Sequence, residues 1–399
     1  MSAHDIRSRQ DRRMAEDLLQ QRPVKRVNDM IERQEAEGPM GTRRRLLATS
    51  VRMSRSMAPA MHKTSDACIE ALGVDIPVEL YVFASPQFNA MCVKPEDGRL
   101  FIMFSSSLLE GFNDTEFKFV MGHELGHYLY GHHDIPIGYL MRGQSRPDPK
   151  LALQLTAWSR HAEISADRAG AHCAQDLTGV SSALFKLASG LTGSLVDFDL
   201  DAFMAQVDDM QLEDAEPGAG APTGDWFMTH PFSPLRVRAL KLFHESELVV
   251  PGGRSLDDLD AGVQALMGLM EPSYLDGRTQ GDESMRRLLF AGALAVASAD
   301  GQITADEIAV FERFFGSDSY SDSLNLGRLE AELPGRVQDV REAVGVGRRL
   351  QVLRDLATVA CSDGVASEAE RAVLGGLARD LEVDAGLVDQ FLCGVPELD

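Results

Sequence analysis

FKFVMGHELGHYLYG, Phe117 to Gly131, decides how this chain is read. Asn113, with Glu116 three residues on, has the form of a capping box, and Gly131 is a natural stop. The spacing therefore predicts one helix between them. Within it, HELGH places His123 and His127 four residues apart, one above the other on the same helix face. The flanks Phe119, Val120, Met121, Leu125, Tyr128 and Leu129 are apolar, so the helix is largely buried. Two histidines and a glutamate inside a core are costly unless something compensates them. A zinc ion held by both histidines would lower the pKa of its water toward ~7. Glu124 sits beside the first ligand and can take that proton during attack, then return it to the leaving amine.

Catalytic zinc takes three protein ligands and keeps one open position. The third comes from elsewhere in the chain. A second long helix fits Lys150 to about Gln175 and carries SRHAEISADRAG. Glu163 and Asp167 are four apart and share a face. Glu163 can bind zinc while Asp167 holds a ligand histidine through its other ring nitrogen. A solvated acidic face paired with Arg160 or Arg168 accounts for the two acids equally well. His161, two residues from Glu163, points to a different face. His132 and His133 follow the helix stop and read as caps for helix carbonyls.

Upstream, Glu79 to Ala84 and Leu100 to Phe104 read as strands, separated by turn signals at Ser85-Pro86 and at PEDG, Pro95 to Gly98. HELGH, then ExxxD some 36 residues later, resembles the gluzincin metallopeptidases of the HtpX and CAAX-prenyl-protease type. Asn89-Ala90 in FNAMCV, the strand LFIMF, SSLL and downstream THPFSPLRVRA follow that family's order. The resemblance covers about residues 65–247. It implies His123, His127 and Glu163 as zinc ligands and Glu124 as the base. It also implies that His230 stabilises the tetrahedral oxyanion and that Arg236 organises the site. Asn89 and Ala90 would lie on the edge strand that receives substrate backbone. Many members of that family embed the site among membrane helices. Here the longest near-continuous apolar run, Leu288 to Ala297, is about half the ~20 residues a span needs.

The tail reads as all helix beyond Gly281. VASADGQITADEIAV, from Val296, repeats as VACSDGVASEAERAV, from Val359, at a spacing of 63 residues. This pattern resembles the tellurite-resistance TerB-like domain over about residues 285–395. The resemblance would allow a second, divalent ion on Asp300, Glu307, Asp363 and Glu370. A local account competes with it. Thr304 with Glu307 and Ser367 with Glu370 are capping boxes, and Asp-Gly supplies each turn.

The expected architecture is α+β. A zincin-like domain with a small mixed sheet and the HExxH helix precedes an all-α TerB-like domain. The expected boundaries are a basic helical arm over 1–60, a peptidase domain over 61–248, a linker over 249–284 and the helical domain over 285–399. The stretch EDAEPGAGAPTGD, Glu213 to Asp225, reads as a surface loop.

Composition narrows the partners. The 399 residues carry a net charge of −22, with 44% hydrophobic and 25% charged residues. That excludes a wholly disordered or multi-spanning membrane chain. It also argues against a nucleic-acid binder, which needs a basic face. The charge is uneven: residues 1–63 hold 14 Lys/Arg against 8 Asp/Glu, and residues 281–399 hold 11 Arg against 22 acids. The basic arm could dock on the acidic regions. The five cysteines are scattered and form no CxxC pair, which fits reduced thiols in the cytoplasm. The expected activity is zinc-dependent endoproteolysis of cytosolic proteins or peptides, without nucleic acid or integral membrane contact. The alternative is a latent scaffold whose acidic tail binds partners or divalent ions.

Overall fold

The computed structural model describes residues 3–36, 38, 41–142, 149–192, 196–213, 225, 228–270, 280–315, 319–321, 324–362, 366–383 and 386–393. Most of the loop expected over Glu213 to Asp225, and Asp363, lie outside them. The elements run α1 (Arg9–Gln20), α2 (Arg22–Ala36), α3 (Thr42–Thr49), β1 (Val51–Arg52), α4 (Pro59–Leu72), β2 (Val78–Phe83), β3 (Ala90–Glu96) and β4 (Arg99–Ser105). Then come α5 (Ser106–Gly111), α6 (Asp114–Leu129), a 3-10 turn (His132–Asp134), α7 (Ile137–Arg142), α8 (Pro149–Ala174), α9 (Leu177–Ser189), α10 (Leu200–Glu213), α11 (Ser233–His244) and α12 (Leu256–Gly268). The tail adds α13 (Gln280–Ala297), α14 (Ala305–Phe315), α15 (Leu326–Ala343), α16 (Val346–Ala360), α17 (Glu368–Asp380) and α18 (Gly386–Cys393). Among the described residues no helix is long and apolar enough to cross a membrane.

The chain forms two compact units. One comprises residues 1–206 and 227–260, the other residues 207–226 and 261–399. The first holds a four-stranded mixed sheet in the order β1-β2-β4-β3. β2 and β4 are parallel, with Leu80 opposite Ile102, while β3 runs antiparallel to β4 and forms an edge. Leu80, Tyr81, Leu100, Phe101, Ile102 and Phe104 are buried, as near-continuous apolar strands require. The PEDG turn is tighter than its four residues suggest. Asp97 and Gly98 alone carry positive φ, the two-residue hairpin that Asp-Gly favours, and Pro95 remains inside β3. An edge strand tolerates that proline because one side of it needs no ladder bond.

α6 begins and ends where the sequence predicts. Asn113 and Glu116 close a reciprocal capping box, and Gly131 takes a left-handed conformation just beyond the helix. α6 lies against α8 at very short range, and small residues set that approach. A Cβ on Gly126 would stand 2.9 Å from the Ala169 Cβ, and one on Gly170 would stand 2.5 Å from the Phe119 carbonyl oxygen. The helix carrying HELGH is thereby held against the helix carrying Glu163 and Asp167.

The N-terminal helices are built into this unit. Ala15, Leu18 and Val24 pack with Ile135, Leu140, Leu151, Leu155, Trp158 and Ala162 in one buried cluster. Asp11 lies on the same face of α1 as Ala15 and Leu18, at helical spacing, and is fully buried.

The second unit is all helix around its own core, which includes Leu288, Leu294, Val296, Leu353, Leu356, Val359 and Leu374. The repeat is visible in its element boundaries. α13 and α16 end at Ala297 and Ala360, and α14 and α17 begin at Ala305 and Glu368, so each pair keeps the 63-residue spacing. Ser367 and Glu370 close a capping box. The Thr304 amide donates to Glu307, and the Glu307 amide donates to the Thr304 hydroxyl, completing the equivalent box at α14.

Candidate metal centre

His123 and His127 present their Nε2 atoms 3.1 Å apart on α6. Glu163 on α8 faces both, with one carboxylate oxygen 3.5 Å from His123 Nε2 and the other 3.4 Å from His127 Nε2. One donor atom from each residue lies within 4.8 Å of the others, and no other such three-donor group occurs among the described residues. These residues fit a zinc ion. Adjacent donors on a tetrahedral zinc with bonds of about 2.1 Å are about 3.4 Å apart, close to the separations seen here. Glu163 Oε2 is buried and accepts no hydrogen bond, which is costly for a carboxylate oxygen that coordinates nothing. Zinc also takes neutral imidazole. Burial, helped by the neighbouring histidines, holds the His127 pKa well below its ordinary value.

Asp167 and Arg236 support the first histidine. His123 Nδ1 donates to Asp167 Oδ1 at 2.9 Å, and Arg236 binds the same carboxylate with two hydrogen bonds of 2.8 and 2.6 Å. Arg236 also stands 3.6 Å from Glu163 Oε2. Burial alone would raise the Asp167 pKa, but Arg236 and His123 outweigh it and hold the group at about 2. Burial likewise opposes protonation of His123, yet the Asp167 hydrogen bond and the Glu163 charge raise its pKa. The salt-bridge alternative for the two acids is not what forms, since their cation is Arg236. Arg168 instead approaches Asp260, and Arg160 donates to the Met228 carbonyl.

Glu124 is buried beside the donors. Burial pushes its pKa up to about 7, and the neighbouring Glu163 charge acts the same way against His123. The Cys92 backbone hydrogen-bonds to it, which ties this carboxyl to the edge strand β3. His230 stands on the open side with its side chain 65% exposed, and its Nε2 is 3.4 Å from Glu163 Oε1. Ala90 opens β3 opposite Phe104. Asn89 precedes it, donating its amide to Ser105 Oγ and lending its carbonyl to the Ser105 amide.

His132 is placed differently from the cap that its position suggests. Its ring is buried and meets His127 Nδ1 at 2.8 Å through Nδ1. Its other nitrogen reaches Asp11 Oδ2 at 3.1 Å. No local motif marks Asp11. The one signal is an acid on the apolar stripe of α1, seven residues before Leu18. His161 is buried away from the donors, and burial lowers its pKa to about 4.

A buried histidine pair and a facing carboxylate beside a small mixed sheet characterise a zincin-type metallopeptidase. Residues 56–143 and 149–243 match the model of peptidase family M48, and residues 286–390 match that of tellurite resistance protein TerB. The chain carries an M48 metallopeptidase domain followed by a TerB domain. Among curated proteins it is similar to plastoglobule-localized metallopeptidase 48, chloroplastic, of Arabidopsis thaliana. The two are 29% identical over 216 residues, covering 49% of this chain and 59% of that protein. The chain thus matches less than two thirds of that relative's length. No solved structure matches.

Proposed function

We propose that this chain is a zinc-dependent endopeptidase acting on cytosolic proteins or peptides. The observation that carries the reading is the His123, His127 and Glu163 donor triangle, with its buried unbonded carboxylate oxygen, set beside Glu124. A bound zinc supplies Lewis-acid polarisation of the scissile carbonyl and acidifies water at the site. Glu124 takes the proton of the attacking water and delivers it to the leaving amine. A pKa near 7 suits both tasks at neutral pH. His230, exposed on the open side, donates to the developing oxyanion. Asp167 and Arg236 hold His123 in register. Substrate backbone adds to the free edge of β3, beginning near Asn89 and Ala90, within reach of the base that Cys92 anchors.

Metal analysis of purified protein, combined with peptide-library cleavage with and without a chelator, tests this reading. Zinc near one per chain and cleavage that the chelator stops and zinc restores are expected. Zinc-loaded protein that cleaves nothing would favour the latent scaffold instead. The tail acids are read as helix starts, because both capping boxes are closed. A rise in the tail's melting temperature on adding calcium or magnesium would argue for an ion there.

A further inference from the structure

His127 and His123 are supported by different means. His123 meets a carboxylate directly, whereas His127 reaches one only through a second histidine. With His127 Nε2 facing the other donors, its proton sits on Nδ1 and is donated to His132 Nδ1. His132 is then protonated on Nε2 and donates to Asp11 Oδ2 at 3.1 Å. Each ring nitrogen in this chain has one role, so both tautomers are fixed.

Asp11 is held firmly at the far end. It accepts from Ser165 Oγ at 2.7 Å, Trp158 Nε1 at 3.1 Å and Arg7 Nε at 2.8 Å. Burial would raise its pKa, but His132 and Arg7 hold it well below the usual carboxylate range, so it stays charged. Trp158 also packs edge-on against the His132 ring, with centroids 5.9 Å apart. Asp11 lies 45 residues before the start of the M48 match at residue 56.

We propose that Asp11, acting through His132, is a positioning residue for His127, and that α1 is thereby a working part of the metal centre. The inference rests on the zinc-site reading above. A carboxylate that fixes the tautomer and orientation of a ligand histidine raises its basicity, and losing such support costs about 10–100-fold in metal affinity. The direct Asp167 link and the relayed Asp11 link then hold the two histidines of HELGH from opposite sides of that motif in the sequence.

The test is zinc affinity of the full chain, measured by competition with a chromogenic chelator, together with the visible spectrum of the cobalt-loaded protein. Asp11→Asn and His132→Gln should each lower zinc affinity by about 10–100-fold and shift the cobalt bands. The double variant should lose no more than the worse single, because the two act in series. Leu18→Ala loosens the same helix without touching the relay, so it should lower the melting temperature and leave zinc affinity and the cobalt spectrum unchanged. His132→Gln leaves the Asp11 bonds to Arg7, Ser165 and Trp158 in place, so it carries the test if Asp11→Asn does not fold. Wild-type zinc affinity in the relay variants, or an equal loss in Leu18→Ala, would overturn the proposal. A wild-type chain that binds no zinc would instead overturn the site reading on which it rests.

Discussion

Asp167 in the peptidase unit and Glu307 in the tail are both buried carboxylates, yet their surroundings differ in sign. Asp167 is clamped by Arg236 and hydrogen-bonded by His123, which hold its pKa at about 2 and keep it ionised at neutral pH. Burial pushes Glu307 up to about 7. The amide and hydroxyl of Thr304 act against that shift, while hydrogen bonding to the Glu370 carboxyl reinforces it. The peptidase unit uses the buried Arg236 to keep Asp167 charged beside the donor set. The tail brings the two capping glutamates of its repeat together, where they share hydrogen bonds.

That contrast can be broken by removing one side of each arrangement. Arg236→Met strands Asp167 in the core and should destabilise the peptidase unit by about 3–5 kcal/mol, read as a lower urea midpoint. A change near zero would mean that Arg236 is not the compensating charge. Next in size is the small-residue contact that brings the acids to the histidines. Gly170→Ala places a methyl against the Phe119 carbonyl and should cost about 1–3 kcal/mol. Zinc affinity should fall with it, because Glu163 is carried away from α6. Unchanged affinity would separate helix spacing from ligand placement.

The smallest effect belongs to the tail and has the opposite sign. A carboxyl whose pKa is raised on folding binds more protons in the folded state than in the unfolded one. Its stabilisation is complete below the ordinary glutamate pKa and is lost as pH rises through about 7. Urea unfolding of the tail signal should therefore show stability falling between pH 5 and about 8. Glu307→Gln keeps a capping side chain and removes the charge, so it should flatten that slope and stabilise the tail at the alkaline end. A slope unchanged in Glu307→Gln would place the titration elsewhere.

Local patterns in the sequence reached far into this structure. The capping box at Asn113, the stop at Gly131 and the i, i+4 histidines fix α6 without tertiary information. The strands β2 and β4 follow from their apolar runs. β3 is marked less clearly, because Pro95 and Asp97-Gly98 place turn chemistry at its end. Gly126 and Gly170 read as neutral small residues until the helices meet, since close approach has no signature along one chain. Asp11 and His132 were hidden for the same reason. The bond joining them spans 121 positions, and a single acid on the amphipathic face of α1 has no spacing to reveal it. Glu307 and Glu370 each announced a helix start, but their meeting depends on how the repeated helices pack.

Hydrolysis by this chain turns most directly on Glu124. Glu124→Gln should retain about one zinc per chain by metal analysis, because its carboxyl is not among the donors. Its peptide hydrolysis should fall by at least ~10²–10⁴-fold, the contribution of a positioned general base. Cleavage at the wild-type rate by zinc-loaded Glu124→Gln protein would contradict the central claim.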